Sequence, residues 1–549
     1  MGCSGAGKTT LLNVLAQRKD SGEITGSILV NSKPQNISFQ RTTGYCEQLD
    51  VHEPSATVRE ALIFSALLRQ PAGTSKQEKI DYVDKIIDLL ELGNIGDALI
   101  GTPGAALSIE QRKRLTLGVE LVAKPSLMLL DEPTSGLDGQ SAFNIVRFMR
   151  KLADAGQAVL CTIHQPSASL FKAFDYILLL AKGGKMTYFG QMGEGSKTIL
   201  DYFVRNSAPC PEDANPAEHI VDVVQGRLNP EVNWNRVWEL SYEYRAALEE
   251  LNALKARAVA EPMEETDLSD YATSKMYQLR LDYIWNKIIL HIFAALLSGF
   301  TFWMISSSVL DLQLRLFTIF NFVFVAPGVI NQLQPYFLQN RDIFETREKK
   351  SKIYYWVAFI GAQAISEIPY LIICGTLYFL CWYFTVGFPS TATISGHIYF
   401  QMILCEFLYT PIGQAIAAYV LNEYSASLVN PLVLGAGLIG FRVLWDAPVN
   451  CTDSEWVKID LPSNETCGSY MNPFIEMSGG YVRDAFSTAS CEYCQYVIGP
   501  EYAQQFNLKK EYYSWRDTRI TVLFCITIYI CIFLMMKLRS KKTKTACSE

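Results

Sequence analysis

Six long apolar stretches in the second half of the chain constrain its fold more than any other feature. A hydrocarbon core about 30 Å thick is crossed by roughly 20 helical residues. Residues 288–308, 316–338, 368–388, 398–421, 425–441 and 520–536 approach or reach that length with almost no charge. A water-soluble core rarely strings so many together, so they predict an all-α polytopic membrane domain of about six helices. The first 230 residues differ in character, and the totals reflect the mixture. The 549-residue chain is 49% hydrophobic yet 19% charged, with a mean hydropathy of +0.11. These figures exclude a disordered chain, a purely soluble one and a purely membrane-embedded one. A net charge of −7 leaves no basic footprint for nucleic acid.

Basic residues orient such spans toward the cytosol. Arg341, Arg347, Lys349, Lys350 and Lys352 lie between the second and third stretches, and Lys537, Arg539, Lys541, Lys542 and Lys544 follow the sixth. The connection 389–397 has neither Lys nor Arg. Six spans then put residues 1–230, the 339–352 loop and the C-terminus in the cytosol, and 442–519 outside. The outer stretch carries Cys451, Cys467, Cys491 and Cys494, which suits an oxidising face. Four cysteines allow three pairings, and Cys491-Glu-Tyr-Cys494 also reads as half of a zinc site. Asn450-Cys-Thr and Asn464-Glu-Thr are candidate glycosylation sites. Residues 231–284 read as a helical connector. Boundaries therefore fall at 1–230, 231–284, 285–441, 442–519 and 520–549.

The soluble half carries phosphate chemistry. Gly2-Cys-Ser4-Gly5-Ala6-Gly7-Lys8-Thr9-Thr10 fits G-x-x-x-x-G-K-[ST]. The glycines allow backbone N–H groups to turn onto phosphate oxygens. Lys8 reaches the β- and γ-phosphates of ATP, and the Thr9 hydroxyl ligates Mg²⁺. A helix beginning after Gly7 adds its N-terminal dipole. Downstream, Ser126-Leu-Met-Leu-Leu-Asp131-Glu132 is a short apolar run ending in two carboxylates. It reads as a buried parallel strand whose C-terminal end faces the ligand crevice. Asp131 is then a Mg²⁺ partner through water, and Glu132 a general base for the attacking water.

The ordered set Gly2–Thr10, Gln48, Leu107-Ser108-Ile109-Glu110-Gln111, Asp131-Glu132, Ser135-Gly136-Leu137-Asp138 and His164 resembles an ATP-binding-cassette (ABC) nucleotide domain. The resemblance implies an α/β P-loop NTPase fold followed by the membrane helices. It implies that Gln48 is the Q-loop ligand of Mg²⁺ and water, that 135–138 is the D-loop, and that His164 contacts the γ-phosphate. The cassette-first order resembles the G subfamily. Leu130-Asp-Glu-Pro-Thr-Ser-Gly-Leu-Asp, Cys161-Thr-Ile-His-Gln-Pro-Ser, Glu367-Ile-Pro-Tyr and Thr466-Cys-Gly-Ser-Tyr-Met are similar to the C-terminal half of fungal pleiotropic drug resistance transporters. That implies ATP-driven export of hydrophobic small molecules across the plasma membrane. A non-hydrolytic membrane subunit and a lipid translocator on the same scaffold are the alternatives.

The family's signature loop reads L-S-G-G-Q, and here both glycines are replaced, by Ile109 and Glu110. In the family this loop caps the nucleotide of the opposite cassette. A carboxylate facing phosphate at about 5 Å, with an effective dielectric of about 20, costs roughly 3 kcal/mol. A Glu110 that points away costs nothing. The degenerate loop predicts pairing with a second ABC half whose signature is intact, in the same polypeptide or in trans. The P-loop follows Met1 with no strand before it, and the sequence around 278–282 and 440–446 looks short against the family. A truncated or mis-spliced gene model and a genuine short variant both explain this. Asn331, Gln332, Gln334 and Asn430 are candidates to line a substrate path, with interhelical hydrogen bonding as the alternative. The 339–352 loop is a candidate relay between cassette and membrane helices, with a solvated basic loop set only by topology as the alternative.

Overall fold

A computed structural model describes residues 1–19, 22–30, 33–35, 39–228, 230–260, 281–322, 325–388, 390–429, 449–462, 465–503 and 513–546. It divides into two compact units. The first is Met1–Gln278 with Ile343–Tyr355 and Lys544–Glu549; the second is Leu279–Asp342 with Trp356–Thr543.

The first unit is built on parallel strands. Thr43–Cys46, Leu127–Leu130 and Ala158–Cys161 pair side by side, with Leu127–Leu130 in the centre. The central strand reads Leu-Met-Leu-Leu because it is covered on both faces, and Met128, Leu129 and Leu130 are buried. Tyr176–Ala181 and Lys185–Gln191 form an antiparallel hairpin turned at Gly183 and Gly184, both at positive φ. Met1 and Gly2 lie against this hairpin: the Leu180 N–H donates to the Met1 carbonyl at 3.0 Å, and Gly2 bridges Leu180 in parallel. Helices Val58–Arg69, Lys76–Leu89, Ile109–Leu121 and Gly139–Asp154 surround the core. The first three begin with Ser or Thr capping boxes, and the fourth with Asp138, so local sequence fixes where each starts. Inside this core, Arg69 pairs with Glu120 at 2.8 Å, and Glu120 also accepts the Tyr45 N–H at 3.1 Å.

In the second unit, helix Leu281–Thr301 packs on Trp356–Val386, which packs on Ala392–Tyr419. Helices Val309–Asn321 and Val325–Ile343 cover the expected second span, and Tyr513–Ala546 carries the sixth. Among the described residues, four segments are long and apolar enough to cross a membrane: Tyr283–Thr301, Val309–Glu348, Trp356–Val386 and Trp515–Arg539. The expected fourth span lies in the 28-residue helix Ala392–Tyr419, which is absent from those four. Its composition is diluted by His397, Gln401, Glu406 and Gln414, all buried. The fifth falls almost wholly outside the described residues. Of the stretches that looked short, 440–446 and residues 278–280 of 278–282 also lie outside the described residues, and 281–282 begin helix Leu281–Thr301.

Several buried polar groups of this unit pair across helices, as a low-dielectric interior favours. Lys287 Nζ lies 3.0 Å from Glu367 Oε2, which also accepts the Tyr283 hydroxyl at 2.9 Å. His291 Nε2 lies 3.1 Å from Glu406 Oε1, and the Thr518 hydroxyl donates to Gln401 Oε1 at 2.9 Å. Gln334 makes the same kind of contact: its amide donates to the Gly413 carbonyl at 3.4 Å. Asn331 is exposed, Gln332 is half-buried, and Asn430 lies outside the described residues.

The described part of the cysteine-bearing stretch, residues 449–462 and 465–503, folds as a three-stranded antiparallel sheet, Val457–Asp460, Ser490–Cys494 and Tyr481–Val482, beside helix Cys467–Ser478. Disulfides join Cys451 to Cys494 and Cys467 to Cys491. Cys491 and Cys494 thus belong to different bridges, which removes the half-zinc reading. Their side chains point to opposite pairings because strand residues three apart face opposite ways. Asn450 is exposed, and Asn464 lies outside the described residues. Non-reducing peptide mapping is expected to recover the 451–494 and 467–491 cross-linked peptides. Recovery of a 491–494 loop peptide would contradict this fold.

Candidate functional site

The site forms where the parallel strands end. Asp131 and Glu132 follow strand Leu127–Leu130 directly, as the sequence predicts. Asp131 is buried, its N–H bound to the Cys46 carbonyl at 2.9 Å. Its Oδ1 accepts the hydroxyls of Thr9 at 3.0 Å and Thr162 at 2.7 Å. One carboxylate oxygen therefore joins the first turn of helix Lys8–Leu15 to the loop after the neighbouring strand. Thr162 also accepts the Glu132 N–H at 2.8 Å. The sequence reading missed Thr162. Its available signal was the cross-strand register, which pairs Leu130 with Cys161 and so brings Thr162 beside Asp131.

Glu132 has φ 48°, a left-handed conformation that a non-glycine residue adopts only when its surroundings impose it. Here the Thr162 hydroxyl on its N–H and the Gln48 amide on its carboxylate hold it. Gln48 Nε2 donates to Glu132 Oε2 at 3.1 Å. Lys8 Nζ stands 4.0 Å from Glu132 Oε1 and is folded back onto the Gly2 and Cys3 carbonyls at 2.9 and 3.0 Å. Gly5 and Gly7 take positive φ of 75° and 87°. A Cβ on Gly5 would meet nothing within 4 Å, whereas one on Gly2 would stand 2.4 Å from the Leu180 carbonyl oxygen. The loop is thus open on one side and pressed against the hairpin on the other. Ser4, Ala6 and Thr10 complete it, with Ala6 buried. The structure brings Lys8, Thr9, Gln48, Asp131 and Glu132 together. His164 is half-buried and follows strand Ala158–Cys161 by three residues, at the same end of the sheet.

The hard oxygen donors at Thr9 and Asp131 fit a Mg²⁺ held with nucleotide phosphates. Thr9 and Asp131 already share a hydrogen bond, so the hydroxyl and the carboxylate converge without rearrangement.

The signature residues occupy a different place, at the start of helix Ile109–Leu121. Ser108 Oγ accepts the Gln111 N–H at 3.2 Å and Gln111 Oε1 accepts the Ser108 N–H at 2.9 Å, closing a capping box. Leu107 is buried and Ile109 is exposed. Glu110 departs from the electrostatic expectation of a carboxylate aimed at phosphate. It pairs with Arg114 one turn on, and accepts the Ser141 hydroxyl at 2.9 Å and the Asn144 amide at 3.0 Å. Burial opposes its charge, but the bonds from Arg114, Asn144 and Ser141 prevail and hold its carboxyl below the usual carboxylate range. The charge is compensated within the chain, as in the orientation that points away from a facing phosphate. Ser141 Oγ also lies 2.9 Å from Asp138 Oδ2, so its single hydroxyl hydrogen is shared between the two carboxylates; the Asp138 carboxylate caps helix Gly139–Asp154 through the N–H groups of Gln140 and Ser141. Of the other D-loop residues, Gly136 has a φ of 76° and Leu137 packs on the core, half-buried. Replacing Glu110 with Ala leaves Arg114 and Asn144 short of an acceptor. The expected loss is roughly 1–3 kcal/mol of stability, read as a lower urea midpoint of the chain.

Three sequence profiles match the chain: one described as ABC transporter over residues 1–135, and two as ABC-2 type transporter over 164–287 and 271–440. ABC multidrug transporter G of Aspergillus fumigatus is 62% identical over all of this chain, which covers 44% of that protein. ABC multidrug transporter H of the same organism is 52% identical over all of the chain, which covers 42% of it. Brefeldin A resistance protein of Schizosaccharomyces pombe is 42% identical over 98% of the chain and 39% of its own length. The chain thus spans less than half the length of the curated relatives it matches. The alignment to transporter G runs over 595 positions against the 549 residues here, so that relative carries internal segments that this chain lacks. An ABC cassette followed by an ABC-2 type membrane domain, similar along the whole chain to fungal multidrug transporters, places this protein in the ABC transporter family.

Proposed function

We propose that the chain is one half of a two-cassette exporter that uses ATP hydrolysis to move hydrophobic small molecules across the plasma membrane. The observation that carries the reading is the convergence of Lys8, Thr9, Gln48, Asp131 and Glu132 at one sheet end, ahead of helices of membrane-crossing length.

In this reading the glycine-rich loop and the start of helix Lys8–Leu15 bind the phosphates. Lys8 leaves its carbonyl partners to neutralise them. Thr9 and Asp131 would hold Mg²⁺, Asp131 through water, with Gln48 completing the set; such an ion would supply charge neutralisation at the phosphates. Glu132 accepts the proton of the attacking water, with Gln48 and the Thr162-fixed backbone setting its direction. His164 meets the γ-phosphate. The signature loop faces a partner cassette whose own L-S-G-G-Q loop closes the Lys8 site. Ile109 stands exposed where the family has glycine, and its side chain obstructs close backbone approach to a phosphate. The composite site that uses this chain's signature is therefore structural, and the one that uses its P-loop is catalytic. The cassette, the 343–355 segment and the basic tail are cytosolic; 449–503 is external and glycosylated at Asn450. Segment 343–355 relays motion: Arg347 donates to the Val51 carbonyl at 3.4 Å, Lys350 pairs with Glu47 at 3.2 Å, and Arg18 donates to the Ser351 hydroxyl at 2.6 Å. Gln332 and Asn331 contribute to the substrate path, while Gln334 serves helix packing.

The test is vanadate-sensitive ATPase activity in lipid nanodiscs. The chain is assayed alone and co-expressed with the portion of ABC multidrug transporter G that it does not match. Slow hydrolysis alone, stimulation by the added portion, and a fall of roughly 10²–10⁴-fold in kcat on Glu132→Gln with nucleotide photolabelling retained are expected. Lys8→Ala should instead abolish the labelling. Hydrolysis by the chain alone as fast as by the assembly would refute the half-transporter reading. Indifference to Glu132→Gln would refute the assigned chemistry. Cells expressing the assembly should accumulate less of a fluorescent hydrophobic dye; equal accumulation with and without ATP depletion would exclude export.

A further inference from the structure

Lys113 stands one turn into helix Ile109–Leu121 and is buried, with only 6% of its side chain exposed. A buried ammonium persists only with matched partners. Its Nζ donates to the Gln48 carbonyl at 2.6 Å and pairs with Asp50 Oδ2 at 3.1 Å. Three residues further along the same helix, the Thr116 hydroxyl meets the other oxygen of Asp50, Oδ1, at 2.6 Å. His52 Nε2 lies 2.8 Å from that hydroxyl. Burial, and then the cations Arg347 and Arg112, hold the His52 pKa well below the ordinary imidazole value, so the ring is neutral. One helix face, Lys113 and Thr116, thus grips three residues of the segment 48–52. The helix that begins at the signature loop is bonded directly to the backbone of the residue whose side chain holds Glu132.

We propose that Lys113 is a positioning residue for hydrolysis in this chain's Lys8 site. By fixing the Gln48 carbonyl and Asp50, it makes the Gln48 amide follow the signature helix, and with it the carboxylate of Glu132. Movement of the degenerate signature loop against a partner cassette is thereby felt at the catalytic glutamate of the same chain. The inference rests on the reading of Gln48 and Glu132 above, and it adds to that reading a route between the two composite sites. The side chain acts through Gln48 and touches no nucleotide. A change in kcat without a change in nucleotide binding is therefore its mark, since a misplacement near 1 Å lowers rates by about 10²-fold.

The experiment uses the full chain assembled with the unmatched portion of transporter G, as above. Lys113→Met keeps length and removes the donors; Lys113→Arg keeps charge and donors. The expected result is a drop in kcat of about 10- to 100-fold for Lys113→Met, with KM for MgATP within about twofold of the parent and recovery of most of the rate in Lys113→Arg. Asp50→Asn should lower kcat in the same direction by a smaller factor, and it tests the link if Lys113→Met does not assemble. An unchanged kcat in folded Lys113→Met, or in folded Asp50→Asn, overturns the proposal, as does a rise in KM at constant kcat. Glu132→Gln is run in parallel. If Glu132→Gln leaves hydrolysis intact, the catalytic reading itself fails. If Glu132→Gln abolishes hydrolysis while Lys113→Met matches the parent, only the positioning role falls.

Discussion

One buried carboxylate oxygen organises the nucleotide domain. Asp131 Oδ1 takes the hydroxyls of Thr9 and Thr162, and the Asp131 N–H is bound to the Cys46 carbonyl. Three chain segments far apart in sequence thereby meet at the end of the central strand. A carboxylate with so little solvent around it must be satisfied by donors, and each donor it recruits fixes another part of the site. Thr9 brings the phosphate loop. Thr162 brings the segment that leads to His164, and by accepting the Glu132 N–H it imposes the left-handed backbone there. The geometry of the proposed base thus follows from the satisfaction of its neighbour.

The signature loop shows how a departure from a family pattern is absorbed. Glu110 in place of glycine puts charge at a helix N-terminus, where a carboxylate is stabilised rather than penalised. Arg114, Ser141 and Asn144 complete its shell and tie the helix to the one that Asp138 caps. The change that remains exposed is apolar, at Ile109. The physical difference from the usual loop is therefore loss of close backbone approach more than repulsion of phosphate.

In the membrane unit several buried polar residues serve cohesion. Helices surrounded by lipid gain little from burying more apolar surface, so interhelical hydrogen bonds and ion pairs set which faces meet. Lys287 with Glu367, His291 with Glu406, and Gln401 with Thr518 join helices distant in sequence. The same residues lower the apolar character of Ala392–Tyr419 below that of its neighbours. A helix can thus lie inside such a unit while its composition alone understates it.

The sequence by itself determined the division into a nucleotide domain and a membrane domain. Period, length and motif order are local properties that need no partner to be read. Four helices of the first unit start at Thr57, Ser75, Ser108 and Asp138, caps that act within four residues. The sequence named Lys8, Thr9, Asp131 and Glu132 from the spacing of their motifs, and Gln48 through the family resemblance. Only the tertiary structure decided what these groups touch. Thr162 stands in a family-like stretch only as a neighbour of His164, and Lys113 in none; their importance arises from register between strands and from one helix face lying on a loop. The orientation of Glu110 and the choice among three disulfide pairings were decided the same way, since both depend on which residues from other elements stand opposite. Contact between segments remote in sequence has no local signature; it is fixed when the buried polar groups find their partners.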